Sequence, residues 1–452
     1  MQIKTTIVLS IAVVALFVTC KPKIDAPELK AGDTDLSSVV YFGDNYLTGF
    51  QNGALFFEGQ NKSLASLIHG QFEDVGSGSL LQPFIETGKS IGPNSKYWDS
   101  PYITKSRMEW KTGCDGVTAI SPVKDLLTTV DADFILNGAS QFVPNNVSVP
   151  FATSSELLDP ITGMPESMGG NMFYHYFSTD PGTSTPLSDA VAKNPTFSVI
   201  WMGMENIWRY GRTGGTVADS ILPAAQFEAE LDSVLSQLST ANGQGVIANI
   251  PDFKDLPYYT TIAYNGATLD DNKRDSLNEN YHVGGANAHI QFVTGDNGFV
   301  VGDAAIAEGY RQLVDGEYIT LSVPVDSLKC HFYGLLVNLI GDQYSLIADE
   351  VAFMESMTAQ YNAVIAAKAA EYNIPMVDMN SYFSTVESGM VWNGVDVNAE
   401  FVSGGFFGLD GIHPHQRGYS LIANEFILAI NAHYNAVIPT GYCPDCEGVR
   451  FP

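Results

Sequence analysis

Apolar positions along the chain fall into two alternating periods. Ser38–Gly43 is a β-branched and aromatic run closing on glycine, which predicts a first strand. Val147–Ala152 predicts a second strand and its exit, Phe197–Gly203 a third, Gly245–Ile250 a fourth and Ile374–Asp378 a fifth. Between them the spacing changes. Phe227, Leu231, Val234, Leu235 and Leu238 recur at helical intervals, and Met354, Met357, Tyr361, Val364 and Ile365 mark a long helix. Tyr419, Ile422, Phe426, Ile427, Ile430 and Tyr434 mark a last one. Thr48–Gln71 is mixed and helical in part, and Leu80–Asp133, rich in Gly, Ser and Pro, reads as irregular. Residues 251–340 hold no strong period and read as a long insertion over the sheet. Strands alternating with helices predict an α/β domain, a parallel sheet with helices on both faces. Sites in such sheets lie at the carboxyl ends of the strands.

The start of the chain has a different character. Lys4, an apolar run from Ile7 to Val18 and then Cys20 predict a signal peptide over 1–19. The run is too short for a comfortable span. Phe17-Val-Thr-Cys20 resembles a bacterial lipobox, which implies lipidation at Cys20 and an exported, membrane-anchored protein. Residues 20–37 then read as the tether, 38–436 as the domain and 437–452 as a tail.

Lys and Arg number 22 against 50 Asp and Glu, a net charge of −28 in 452 residues. That argues against nucleic acid as a partner, since phosphates need basic surface. Five cysteines are present. Cys443 and Cys446 form a CxxC that suits a local disulfide or free thiols. No second pair completes a zinc site. Cys114 and Cys330 stand isolated and read as structural.

Candidate chemistry concentrates in Asp410-Gly-Ile-His413-Pro414, inside a Gly-rich turn. An Asp three residues before a His can hold a carboxylate against the imidazole and leave Nε2 free as a base. The same residues also suit a turn braced by Asp410 and a helix capped by His413. Pro414 suits a first helical turn.

Asp-Gly-Ile-His-Pro followed by Arg-Gly-Tyr resembles the last block of the SGNH (GDSL-type) hydrolases. The resemblance implies a flavodoxin-like three-layer α/β fold with long insertions, acting on carboxylic esters without cofactor or metal. Val39-Val-Tyr-Phe-Gly43-Asp44-Asn45 stands where that family carries its first block, with Asn45 at the serine position. Asn146-Val-Ser-Val-Pro-Phe151-Ala152 resembles the second block, with Phe151 at the oxyanion-hole glycine. Gly203-Met-Glu205-Asn206 resembles the third, with Glu205 at the oxyanion-hole asparagine. An amide offers no proton that a histidine could remove to make a useful nucleophile. A carboxylate at Glu205 opposes a developing oxyanion.

The expectation is therefore a catalytically degenerate, ligand-binding member. Gly43, Asp44, Asn45, Gly203, Glu205, Asn206 and His413 would line a polar, acidic pocket for a small molecule or glycan, acylated or not. The alternative is an ester hydrolase using another nucleophile. A metal site of Asp44, Glu205 and His413 has no compact spacing to support it.

Overall fold

The computed structural model describes residues 27–93, 104–125, 143–239, 243–283, 287, 289–335, 338–441 and 446–452. The segment expected as a signal peptide, Cys20 and Cys443 lie outside these residues. No described helix is long and apolar enough to cross a membrane.

Four strands make the central sheet: β1 (Val39–Gly43), β2 (Phe197–Trp201), β3 (Gly245–Ala248) and β4 (Met376–Val377). They are parallel and lie in that order. Asn145–Val149 extends the sheet beyond β1. Tyr41 N–H donates to Asn145 O, and the N–H groups of Val147 and Val149 donate to Tyr41 O and Gly43 O. In chain order the five segments lie 2-1-3-4-5, a doubly wound order whose switch point falls between β1 and β2. Every residue of β1, β2 and β3 is buried, which explains why these strands read as continuous apolar runs rather than alternating ones.

The principal helices are α1 (Leu64–Glu73), α2 (Met204–Arg212), α3 (Ala224–Leu238), α4 (Ala348–Glu371) and α5 (Gln416–Tyr434). On one face of β2 the Phe197 ring meets Phe72 of α1 and Tyr434 of α5, and Trp201 meets Phe426 of α5. Ser198 points to the other face, where its hydroxyl reaches Leu238 O of α3. There Phe227 of α3 stacks on Tyr361 of α4 with centroids 4.0 Å apart. Helices therefore cover both faces.

Three expectations change. First, the stretch expected to be irregular contains a hairpin, Arg107–Thr112 paired antiparallel with Thr118–Val123. Its turn residues Gly113 and Gly116 were legible, but the surrounding Gly, Ser and Pro masked the two short alternating runs. Second, the region expected as an insertion has its own core, built on residues such as Ile290, Phe292, Val300, Val301, Ile319 and Ile340. Short strand pairs and the buried bridge from Arg311 to Asp303 and Glu317 brace it. Third, the later part of the segment expected as a tether is docked on the domain from Lys30 onward. Lys30 and Val437 exchange backbone hydrogen bonds, and Asp33 N–H donates to Tyr434 O.

Cys114, in the turn of the hairpin, is disulfide-bonded to Cys330 at the end of helix Val325–Cys330. The two cysteines that looked isolated thus join the hairpin to the insertion. Cys446 is also disulfide-bonded.

Candidate functional site

The residues singled out in the three blocks converge at the carboxyl ends of the strands. Gly43 ends β1 at φ 152°, and a Cβ there would lie 1.8 Å from Trp201 O. Only glycine lets β1 and β2 pass this closely. Asp44 and Asn45 follow at once. Gly203, at φ 97°, turns the chain from β2 into α2. The Oδ2 of Asp44 accepts the N–H of Glu205 at 3.2 Å, in the first turn of that helix. Burial pushes the Asp44 carboxyl well above its usual range; the Glu205 N–H opposes this and the Glu205 charge adds to it.

Asn45 uses both ends of its amide. Its Oδ1 accepts the N–H of Phe151 at 2.8 Å, and its Nδ2 donates to Glu205 Oε2 at 2.9 Å. Glu205 is saturated as well. Arg212 donates to both its oxygens, at 3.0 and 2.6 Å, and Arg209 Nε lies 3.2 Å from Oε1. Burial pushes the Glu205 carboxyl up, but the charges of Arg212 and Arg209 more than offset it and hold it below its usual range. Arg209 also reaches Phe151 O and Glu156 Oε2. The Arg212 guanidinium lies 5.2 Å from the Phe151 ring centroid.

Phe151 has φ 60°, a left-handed backbone that favours glycine. The backbone keeps the shape a glycine would take, while a ring fills the space above it. That ring packs against Phe50 at 5.0 Å and Phe173 at 6.0 Å between centroids.

His413 lies across this cluster, its ring 4.6 Å from Phe50 and 6.3 Å from Phe151. Its Nδ1 is 3.3 Å from Asp410 Oδ2, and neither ring nitrogen makes a hydrogen bond among the described residues. Asp410 accepts three backbone N–H groups, from Gly53 at 2.6 Å, Ile412 at 2.9 Å and His413 at 2.7 Å. Burial pushes its carboxyl up, but His413 and those N–H groups hold it below its usual range. Asp410 therefore braces the turn. The helix cap falls to His415, whose Nδ1 accepts the Arg417 N–H at 3.0 Å. Burial, followed by the Arg417 charge, lowers the His415 pKa to about 3, so the cap stays neutral. Pro414 precedes the helix rather than opening it.

The open acidic pocket expected from the sequence is not formed. Asp44, Asn45, Glu205, Asn206 and His413 all have 0% exposure. Two arginines neutralise Glu205. Asn206 serves the fold, accepting from Ser154 N–H and donating to Ser220 O. No metal-binding cluster occurs among the described residues.

Sequence reasoning missed Arg209, Arg212 and Phe50. A signal for the arginines existed: Glu205, Arg209 and Arg212 recur at i, i+4 and i+7 on one helix face. No protein-family model matches the chain, and no curated protein matches it significantly.

Proposed function

We propose that this chain is a non-hydrolytic, SGNH-like exported lipoprotein. In it the centre that would perform acyl transfer has become a buried polar staple. The observation that carries this reading is the circuit Phe151 N–H to Asn45 to Glu205 to Arg212. An oxyanion hole works because its donors wait unpaired for a charge that develops later. Here the donor at the second block is already used by Asn45, and the third block supplies an anion already bound by cations. The 2-1-3-4-5 sheet and the order of the blocks support the SGNH-like assignment. The ligand would be a polar small molecule or glycan held outside the centre, and Cys20 would carry the membrane anchor.

The rival, an ester hydrolase with another nucleophile, has one feature in its favour: the His413 Nε2 makes no hydrogen bond among the described residues. That nitrogen belongs to a ring packed against Phe50 and Phe151, so no substrate reaches it without moving both. The test is labelling with a serine-directed fluorophosphonate. The protein should remain unlabelled, and covalent labelling that disappears in His413→Ala would overturn the reading. Mass spectrometry of the mature protein tests the anchor, and an unmodified terminus away from Cys20 would refute it.

A further inference from the structure

Two cavities of about 580 and about 650 Å³ adjoin above the loop carrying Asp410. Both are lined by Ser106 and Leu409, so they form one trench beside the Arg107–Val123 hairpin. The Cys114–Cys330 disulfide and the Lys111–Asp326 ion pair fix the far wall to the insertion.

The charge of this trench runs against that of the molecule. Lys62, Lys105, Arg107 and Arg450 line the first cavity, against Glu58 and Glu447. Lys111, Lys124 and Lys329 line the second, against Asp115 and Asp326. Seven cations thus line it beside four carboxylate side chains, in a chain with 22 cations and 50 acids. Arg107 is already paired with Glu109 and Asp125, Lys111 with Asp326 and Arg450 with Glu447, which leaves the four lysines Lys62, Lys105, Lys124 and Lys329 as the trench's surplus charge among the described residues. Two of the cations, the half-buried Lys105 and the exposed Lys124, have no ion-pair partner among the described residues. Burial lowers the Lys105 pKa despite Glu58, and its ammonium lies 4.1 Å from the centroid of the Phe56 ring. Gln51, 1% exposed, lines the first cavity and has its Nε2 buried without a hydrogen-bond partner. Donors and cations wait here for acceptors, while the centre below has none to spare.

We propose that the trench binds an acidic oligosaccharide. Lys105 and Lys124 would hold its anionic groups, Gln51 and Asn61 its hydroxyls, and the rings of Phe57 and Phe451 its apolar faces. The net charge of −28 selects against the dense phosphates of nucleic acid and against an anionic membrane. Spaced charges on a short sugar chain suit it better, because screening limits repulsion from the rest of the surface to within about 8 Å at physiological salt. This inference deepens the ligand-binding reading above and rests on it for the absence of turnover.

The test is calorimetric titration of the purified protein with an oligogalacturonate, a sulfated oligosaccharide of matched length and neutral maltohexaose. One of the two acidic chains should bind saturably, weakening as salt rises, and the neutral chain should not. Which acidic chain binds distinguishes carboxylate from sulfate. Lys105→Gln with Lys124→Gln should lower affinity at least about tenfold, since one charge-assisted hydrogen bond is worth a decade or more. Lys30→Gln, an exposed residue beside Val437 at the end of α5 far from the trench, should leave it unchanged. Equal binding of the neutral chain, no binding of either acidic chain, or an indifferent double variant with unchanged melting would overturn the proposal. Ester turnover measured alongside would refute the non-catalytic reading and leave the trench standing.

Discussion

Asn45 is where the chemistry of the chain is decided. It satisfies a backbone donor 106 residues away and a carboxylate 160 residues away. Asn45→Ser cannot reach both. We expect it to cost about 1–3 kcal/mol, the usual penalty for leaving a buried polar group unpaired, and to bring no activity. Asn45→Asp should be worse, because it sets a second carboxylate against Glu205 and gives the Phe151 N–H nothing new. Urea denaturation of both variants checks the order. Glu205→Gln leaves Arg212 buried without its anion, and breaking such a pair costs about 3–5 kcal/mol. The Glu205→Gln, Arg212→Met double variant should lose less than the two singles added together. The residues Asn45, Phe151 and Glu205 were legible one at a time, as departures from the pattern that the resemblance implies. Their mutual satisfaction was not, because it depends on distances across the fold that no local pattern encodes.

Elements were legible where burial is two-sided and periods are long. The five strand segments and helices α3, α4 and α5 follow from runs and spacings. Short alternating runs in a Gly- and Ser-rich stretch gave no such signal, so the hairpin was missed. The start of α4 carries a pH-dependent element. Glu350 accepts the Ile347 N–H, and burial raises its pKa to about 7 from the usual 4.5. The folded state therefore holds this proton longer than the unfolded state does. The stabilisation is complete below about pH 4.5 and is lost as pH rises through about 7. Glu350→Gln should flatten that part of the stability–pH curve, and urea midpoints at pH 5, 6 and 7.5 check it. An unchanged slope would show that Glu350 ionises freely in the fold. Phe151→Gly offers a second element-scale outcome. It relieves a left-handed φ but removes a ring packed on Phe50, Phe173 and Arg212. We expect net destabilisation of roughly 3 kcal/mol, at the low end for losing a buried aromatic.

The whole molecule combines a sheet-centred core with a second core in the insertion, and the disulfide ties the latter to the hairpin. Cys330→Ser should raise amide exchange in Arg107–Val123 and leave β1 and β2 protected, since the sheet core does not depend on that link. Equal deprotection of the sheet would show a single cooperative unit. The sequence announced the insertion by its lack of period, but it could not show that two cysteines 216 residues apart meet. It also placed the candidate residues at one end of the sheet, while their closure to solvent depends on packing of rings from four separate segments. That closure is the central claim, and turnover of small acetyl esters tests it most directly. Wild-type protein and His413→Ala should be indistinguishable from the uncatalysed background. Robust wild-type hydrolysis that vanishes in His413→Ala would contradict the account.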